Sequence, residues 1–324
     1  MAVAWSPPTT FSPSPKFKSL RRRHCRCSAI SQADGTSSQP TTSSTYRPAL
    51  ILPGLGNNSN DYKKLALILE DYGIPTVIAK VSRIDWLRNA AGLADANYWR
   101  GTLRPRPVLD WYFKRIDDAV SEAKNLGGSG ALSVIGHSAG GWLARVYMQE
   151  FGLSGITLLL TLGTPHLPPP KGLPGVIDQT RGLLDYVEKH CAKAVYTPEL
   201  RYVCVAGSTN YGSTVLVDVN QPLPDTAALR SMDTSTATPR SMDTSTATPN
   251  TLQARFVGQG YKQVCGQADV WGDGVVPEIS AHLEGALNIT LDGVYHSPVG
   301  SDDTTRPWYG SPAIVDKWIH HLLN

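Results

Sequence analysis

The sequence lacks any apolar run long enough to cross a bilayer. No uninterrupted apolar stretch in the 324 residues approaches the ~18 residues that a membrane-spanning helix requires. The apolar and charged fractions, 41% and 18%, are ordinary for a globular protein. The length is sufficient for one large α/β domain with a substantial core.

Cysteine is scarce, with five residues in the chain. Cys25 and Cys27 lie near the start, and Cys191, Cys204 and Cys265 make an odd number without the paired spacing of zinc ligands. We interpret the last three as free thiols in a reducing compartment. The sequence therefore predicts neither a disulfide framework nor structural zinc, and we expect no cofactor.

Acidic residues are missing from residues 1–33, which contain six of the 30 basic residues. The rest of the chain has 24 basic and 27 acidic residues, so its formal net charge is −3 although the whole chain has +3. This balance gives no indication of a nucleic-acid partner. The basic residues of the first segment are Lys16, Lys18, Arg21, Arg22, Arg23 and Arg26.

Residues 1–45 are rich in Ser, Thr, Pro and Arg and have no apolar core for secretion. Together with the Arg26–Ala29 stretch, they resemble a chloroplast transit peptide and its cleavage region. Mitochondrial import is the alternative address, and a disordered tail without an address is the plainer interpretation. We expect a chloroplast protein, in the stroma or at the periphery of a plastid membrane.

Residues 46–324 alternate between short apolar runs and helical patterns, which is typical of a parallel sheet covered on both faces. We predict an α/β fold with about six strands, and a small cap at residues 165–200. The predicted strands are 48–52, 76–81, 132–135, 155–162, 201–206 and 287–291. The predicted helices are 61–72, 108–126, 142–151, 178–194 and 312–323.

A ten-residue segment, Arg230–Pro239, is repeated without change as Arg240–Pro249. A tandem copy this short and polar cannot bury a core. We interpret residues 221–250 as a disordered surface insertion that was lengthened by duplication.

The most informative motif is Gly-His-Ser-Ala-Gly at residues 136–140. Leu132–Ile135 before it reads as a buried strand, and Trp142–Phe151 after it reads as a helix. In this setting G-x-S-x-G forms a nucleophile elbow, which pushes the serine hydroxyl out above the sheet. Small residues are needed at 136 and 140 because neighbouring chain passes close by. Ser138 is therefore the candidate nucleophile; a Gly-rich turn with a surface serine is the alternative.

A serine nucleophile needs a basic histidine that is oriented by a carboxylate. After an elbow serine the acid and then the histidine usually follow in the chain, and Asp273 and His296 fit this order. Both lie in predicted loops, where parallel sheets place their sites. Asp269 and Asp218 are rival acids, and His166 is the rival base. Asp273 could also be only a turn residue, and His296 only a loop histidine.

The reaction also needs N–H donors for the oxyanion. We nominate the backbone amide of Ala139, directly after the nucleophile, and that of Leu55, where Gly54 and Gly56 let the backbone approach. The two glycines could equally form an ordinary turn. A dinucleotide-binding fingerprint is disfavoured because Ser59 stands where the third glycine would be needed.

Four segments resemble the α/β-hydrolase superfamily, and within it the lipase-like branch. Pro53–Gly56 resembles the His-Gly-Leu-Gly oxyanion loop of bacterial lipases, and Gly136–Gly141 matches their elbow. Leu162–His166 and Gly272–Pro277 match the segment after the next strand and the acid loop, and His296 follows at a similar interval. Plant plastid hydrolases similar to GPI inositol deacylases share the arrangement. The resemblance implies a Ser-His-Asp triad.

The chain departs from these families at three points. Pro53 replaces the usual histidine of the oxyanion loop, residues 208–268 are an idiosyncratic insertion, and the membrane spans of a true GPI inositol deacylase are missing. We therefore do not expect GPI deacylation in the secretory pathway.

These observations predict a serine hydrolase that cleaves carboxylic esters, with a small-molecule or acyl-lipid ester as substrate. Apolar residues of 165–200 and around Tyr98–Trp99 are expected to form an acyl-facing wall. A thioesterase and a non-catalytic protein that binds a small ligand remain as alternatives. His137 is expected to point away from the serine. The residues predicted to line the substrate site are Gly54, His137, His166 and Trp142.

Overall fold

A six-stranded parallel sheet forms the centre of the fold. The computed structural model describes residues 46–126, 130–193, 196–212 and 251–323. The strands of the sheet are β1 Ala49–Leu52, β2 Thr76–Ile78, β3 Leu132–His137, β4 Ile156–Leu162, β5 Arg201–Ser208 and β8 Leu287–Asp292. Their spatial order is β2, β1, β3, β4, β5 and β8, and each neighbouring pair is parallel. A separate antiparallel ribbon pairs Asn210–Tyr211, which is β6, with Trp271–Gly272, which is β7.

Helices cover both faces of the sheet. The α-helices of the described residues are α1 Lys63–Asp71, α2 Ala96–Arg100, α3 Asp110–Leu126, α4 Ala139–Phe151, α5 Leu183–His190, α6 Thr251–Cys265, α7 Glu278–Ala281 and α8 Pro312–Trp318. Short 3₁₀ segments span Ser59–Tyr62, Arg83–Ala94 and Ile319–His321. One apolar cluster contains side chains of α3, α4 and α5, and a second contains side chains of α1 and α8.

The two clusters follow from the period-two alternation of the strands. In β1, Leu50 and Leu52 belong to the cluster under α3 and α4, whereas Ala49 and Ile51 belong to the cluster under α1 and α8. All four residues are buried, which is why the strand reads as a continuous apolar run. The sheet is thus the middle of three layers, as the sequence predicted.

The predicted strands of the central sheet and its main helices all form, with changes at their ends. The helix predicted at 178–194 begins only at Leu183, because Asp178 accepts hydrogen bonds from Thr180 and Gly182 in a turn, and Gly182 has a φ of 103°. Helix α6 was not predicted from the sequence. Its buried side chains Ala254, Val257 and Tyr261 do repeat at helical spacing.

The predicted cap at 165–200 stays a prediction, but the helix within it belongs to the core. Its helical part, α5, buries Leu184 and Val187 in the same apolar cluster as α4. These side chains therefore complete a core layer instead of standing over the site. The residues before α5, from 165 to 182, form turns and irregular chain.

Several expectations concern residues outside the described ranges. Residues 1–45, with the predicted transit peptide, and residues 221–250, with the tandem repeat, lie there. Among the described residues, no helix is long and apolar enough to span a membrane. In the same residues, no group of three or more His, Cys, Asp or Glu side chains could hold a metal ion. Cys191, Cys204 and Cys265 have free thiols.

Candidate active site

Ser138 occupies the turn between β3 and α4 in a strained conformation. Its φ of 51° and ψ of −126° lie in a region that non-glycine residues rarely adopt. The side chain is half-buried, and its backbone N–H donates to Leu162 O at 2.9 Å. The geometry is that of a nucleophile elbow, in which strain is stored at the residue whose hydroxyl must be presented.

Glycines make the elbow possible because no side chain fits beside it. A Cβ on Gly136 would lie 2.4 Å from the Cα of Gly141, and one on Gly140 would lie 2.3 Å from Leu52 O. A Cβ on Gly54 would lie 2.7 Å from the Cβ of Ser138. The loop after β1 therefore passes directly against the elbow, as expected for an oxyanion loop.

Asp273 lies at the carboxyl end of the sheet with both oxygens fully engaged. Oδ1 accepts hydrogen bonds from the backbone N–H groups of Val275 at 3.0 Å and Val276 at 2.7 Å. Oδ2 accepts from His296 Nδ1 at 2.7 Å and from Tyr309 OH at 2.8 Å. Four donors on one buried carboxylate indicate that the ionised form is held here.

The electrostatics of Asp273 support this assignment. Burial acts to raise its pKa, since Asp273 is only 2% exposed. The neighbouring His296 and the amides of Val275 and Val276 outweigh that effect and hold the pKa below its ordinary value. A carboxylate that stays ionised can orient an imidazole and stabilise it when it becomes protonated.

His296 has the tautomer that a general base needs. Because Asp273 is an ionised acceptor, Nδ1 of His296 carries the proton and donates it, so the lone pair is on Nε2. A backbone bond from His296 N–H to Asp273 O at 3.1 Å fixes the two loops together. Ser138 Oγ and His296 are not hydrogen-bonded to each other in the described residues. In enzymes without substrate this contact is often longer than a hydrogen bond and tightens on binding.

His137 joins the elbow to the histidine loop. Its ring lies 4.9 Å from the ring of His296, and its Nε2 is 2.9 Å from the backbone oxygen of His296. Its Nδ1 is 2.7 Å from Tyr62 OH. Burial, followed by the nearby His296, lowers the pKa of His137 to about 3, so the ring is neutral near pH 7. The residue directly before Ser138 is thereby in contact with the candidate base.

The two amides nominated for the oxyanion are available. The backbone N–H of Gly54 donates to Tyr62 OH at 2.9 Å, so this amide is occupied. The N–H groups of Leu55 and Ala139 form no hydrogen bonds within the described chain. Ala139 is the first residue of α4, where helical amides have no partner inside the helix.

Three residues predicted to contact substrate are buried in the protein. His137 and His166 are 1% and 0% exposed, and Trp142 is 6% exposed and packs in the core cluster with α3 and α5. Their side chains have partners or neighbours within the protein, so we revise these three assignments. Gly54 keeps its place beside Ser138.

The rival base, His166, is not brought into the site. Nε2 of His166 faces Thr161 Oγ1 at 3.2 Å and Cys204 Sγ at 3.5 Å, inside the core. Asp269 is exposed, and Asp218 lies outside the described residues. Asp273 is the acid that contacts His296.

Two tyrosines of the site were not found from the sequence. Tyr62 bonds to Gly54 and His137, and Tyr309 OH both donates to Asp273 and accepts from Gly207 N–H at 2.8 Å. Neither belongs to a recognised motif. For Tyr62 the signal in the sequence was its place in an apolar helical pattern, and for Tyr309 its place directly after Trp308. Both patterns favour a buried ring, and a buried hydroxyl needs a hydrogen-bond partner.

A cavity of about 290 Å³ lies at the amino end of β5, away from the carboxyl ends of the strands. Leu200 and Tyr202 at the start of β5 line it, together with Leu153 beyond the end of α4. Parallel sheets present their sites at the carboxyl ends of strands, and this cavity is at the amino ends. It is therefore separate from Ser138, Asp273 and His296.

Comparison with known proteins gives only distant likenesses. No protein-family model and no curated protein matches the sequence. A gene product of Listeria innocua matches at 14% identity over 51% of this chain and 71% of its own, with a TM-score of 0.30.

Two enzymes of known structure match over shorter stretches. A pyrethroid hydrolase from Sphingobium faniae matches at 17% identity over 38% of this chain and 41% of its own, with a TM-score of 0.25. The thioesterase domain of the curacin biosynthetic pathway matches at 18% identity over 47% of this chain and 49% of its own, with a TM-score of 0.28. The chain thus spans less than half the length of either enzyme, and these likenesses carry no argument about activity. The sheet order, the elbow and the helices on both faces are nevertheless those of the α/β-hydrolase fold.

Proposed function

We propose that this protein is a serine hydrolase that cleaves carboxylic esters through an acyl-enzyme. The observation that carries the proposal is the strained Ser138 at the strand–helix turn, directly after a His137 whose ring contacts the Asp273-bonded ring of His296. Strained backbone conformations of this kind cluster at active sites, where the surrounding structure holds them in place. A histidine whose Nδ1 is bonded to a buried carboxylate is the matching base.

The chemistry follows the order of these contacts. Ser138 Oγ attacks the ester carbonyl and passes its proton to His296 Nε2, and the carbonyl oxygen becomes an oxyanion held by the amides of Leu55 and Ala139. His296 then gives the proton to the leaving alcohol as the C–O bond breaks. A water molecule, deprotonated by His296, then attacks the acyl carbonyl, the bond from this carbon to Ser138 Oγ breaks to release the acid, and His296 returns the proton to Oγ. Asp273 orients His296 throughout.

Exposed aliphatic side chains favour an apolar acyl group. Leu55, Val275 and Val299 are 62%, 52% and 52% exposed. Leu55 belongs to the predicted oxyanion loop, Val275 follows Asp273 by two residues, and Val299 follows His296 by three. Trp99, in the predicted acyl-facing wall, is 69% exposed. Apolar surface around a polar centre is the usual composition of a site for an apolar ligand. An acyl lipid or a similar ester is therefore the substrate class we propose.

Fluorophosphonate labelling tests the nucleophile directly. Wild-type protein should be labelled covalently, and Ser138→Ala should not be labelled. Ser297→Ala, which removes a serine next to His296, is the matched control and should be labelled like wild type. Absence of labelling in well-folded wild type would contradict the hydrolase and favour the alternative of a protein that only binds a small ligand.

Substrates with matched acyl chains separate the esterase from the thioesterase. The same acyl group should be presented as a glycerol ester, a nitrophenyl ester and a coenzyme A thioester, and kcat/KM compared. The proposal expects oxygen esters to be hydrolysed at least as well as the thioester. A strong preference for the thioester would replace carboxylic-ester hydrolysis with thioester hydrolysis by the same residues.

We also propose that the protein acts in chloroplasts, in the stroma or at the periphery of plastid membranes. The support is the composition of residues 1–45, which are basic, without acids before residue 34, and rich in Ser and Pro. Import of the full chain into isolated chloroplasts, followed by protease treatment, tests this location. A protected and shortened product is expected, whereas uptake by mitochondria alone would overturn it.

A further inference from the structure

We propose that Tyr62 and His137 form a positioning relay that locks the oxyanion loop and the His296 loop onto the elbow. The inference rests on the proposed function and names two residues that act through others. Its basis is a chain of three hydrogen bonds that runs from Gly54 through Tyr62 and His137 to the backbone of His296.

The direction of every bond in this chain is determined by its end groups. A backbone carbonyl only accepts, so Nε2 of His137 must carry the proton and donate it to His296 O at 2.9 Å. Nδ1 is then the acceptor, and Tyr62 OH donates to it at 2.7 Å. The oxygen of Tyr62 in turn accepts from Gly54 N–H at 2.9 Å. In the opposite tautomer, the lone pair of His137 Nε2 would face a lone pair of His296 O.

The surroundings hold the relay in one orientation. Tyr62 is completely buried, His137 is 1% exposed, and Trp308 packs edgewise on both rings at centroid distances of 5.8 and 5.6 Å. A buried polar group left without its partner is destabilising, so the loss of any one of the three bonds disfavours the arrangement of the others. The relay therefore couples three segments that are far apart in sequence.

Two consequences for the reaction follow. First, Tyr62 occupies the amide of Gly54, which is therefore not free for the oxyanion, whereas Leu55 N–H has no partner within the described chain. Second, the bond from His137 holds the backbone of His296, and with it the position of the imidazole. Misplacing a reacting group by ~1 Å can reduce the rate about 100-fold.

The neutrality of His137 also serves the reaction. When His296 takes the serine proton it becomes a cation, 4.9 Å from the His137 ring. A second cation at this distance would oppose that charge. Burial, followed by the proximity of His296, lowers the pKa of His137 to about 3, and Tyr62 occupies the nitrogen that would bind the proton.

Nitrogen NMR of the full chain tests the relay without an activity assay. Long-range proton–nitrogen spectra should show His137 as a neutral ring with its proton on Nε2, unchanged from pH 8 down to about pH 5. The Tyr62→Phe variant should keep the Nε2 proton but shift the Nδ1 resonance by loss of its donor. A proton on Nδ1, or a titration of His137 near pH 6.5, would overturn the proposal.

Kinetics of matched variants test its consequence. Tyr62→Phe should lower kcat about 10- to 100-fold and leave KM within a factor of about two, because the machinery is displaced but the apolar walls are not. The control is Tyr147→Phe, which removes another buried hydroxyl, bonded to Asp117 at 3.2 Å, in a different apolar cluster from Tyr62. This variant should keep wild-type kcat. Equal kcat in wild type and Tyr62→Phe would contradict the relay.

Replacements at His137 separate positioning from folding. Glutamine carries an amide that can donate to the carbonyl of His296, whereas leucine cannot. If both variants fold with similar stability, His137→Gln should retain at least tenfold more kcat than His137→Leu. Equal loss in both would overturn the positioning role. Should wild type show no labelling by fluorophosphonate, the proposed function would fail, but the NMR result would still report on the relay.

Discussion

His137 and His166 are equally buried, but they stand in different environments. His137 is the last residue of β3, and His166 lies just beyond the end of β4. Burial is the main cause that lowers the pKa of both side chains. His137 uses both ring nitrogens, toward Tyr62 and the backbone of His296. His166 uses only Nε2, toward Thr161 and Cys204, and its Nδ1 has no hydrogen-bond partner in the described chain.

The comparison separates two meanings of a depressed pKa. Around His166 the shift reports burial in a core cluster beside β4 and β5, with Arg145 as the next cause. Around His137 it accompanies bonds that reach the loops of the proposed nucleophile, base and oxyanion donors. A perturbed pKa therefore points to a functional site only when the partners of the group belong to that site.

The largest loss of activity is expected from removing the negative charge of Asp273, which orients His296. Asp273→Asn should lower kcat by about 10⁴, because an amide no longer holds His296 in the tautomer with a free Nε2. The measurement is steady-state hydrolysis of a short-chain ester. Asp269→Asn, a change at the exposed rival acid, is the control and should stay near wild type. A larger loss in the control would assign the acid to Asp269.

A smaller loss is expected from crowding the elbow. Gly54→Ala would bring a methyl group to 2.7 Å from Ser138 Cβ and 3.0 Å from His137 Nδ1. Because the loop must move away, kcat/KM should fall about 100-fold. Gly260→Ala, in α6, adds a methyl group that meets no atom within 4 Å and should leave kcat/KM unchanged. Similar losses in both variants would show that the effect is not specific to the elbow.

Much of this arrangement could be predicted from the sequence, and the two histidines show where the prediction stopped. The strands were found because short apolar runs between turns are typical of buried strands, and Ser138 was found because the elbow requires small neighbours. The pairing of Asp273 with His296 was expected from chain order. The sequence did not reveal that His137 contacts Tyr62 and the backbone of His296 whereas His166 contacts Thr161 and Cys204. Their partners are set by tertiary packing.

The tyrosines and α6 show the same limit. Tyr62 and Tyr309 enter the site through hydroxyl contacts with residues 75 and 36 positions away, at His137 and Asp273. Hydrophobic patterning predicts only that such rings are buried. The helix α6 was obscured because it directly follows the polar repeat, which favoured the interpretation of the surrounding residues as an insertion.

Removing the hydroxyl of Tyr309 should have an intermediate effect. Tyr309→Phe takes one donor from Oδ2 of Asp273, which raises the pKa of this carboxyl and loosens its hold on His296. We expect kcat/KM to fall about tenfold, with its acid limb displaced to higher pH. Tyr147→Phe again serves as the control. An unchanged pH profile would mean that the other three donors suffice to hold Asp273.

The smallest effect on activity is expected at His166. His166→Leu should keep kcat within about threefold of wild type, since the ring contacts Thr161 and Cys204 and none of the reacting groups. Its effect should appear in stability against pH. The folded-state pKa of His166 is far below 6.5, so the unfolded chain takes up a proton that the folded chain does not.

The sign of this effect is fixed by that difference. The contribution of His166 to the free energy of unfolding is complete above pH 6.5 and is lost as the pH falls toward the folded-state pKa. Between about pH 6 and pH 4 the stability of wild type should therefore fall more steeply than that of His166→Leu, by up to ~1.4 kcal/mol per pH unit for one proton. Urea unfolding at several pH values measures the slope. His137→Gln should flatten the slope of stability against pH in the same way, but it should also lose activity. A His166→Leu variant with the wild-type slope, or with a tenfold loss of kcat, would contradict the distinction between the two histidines.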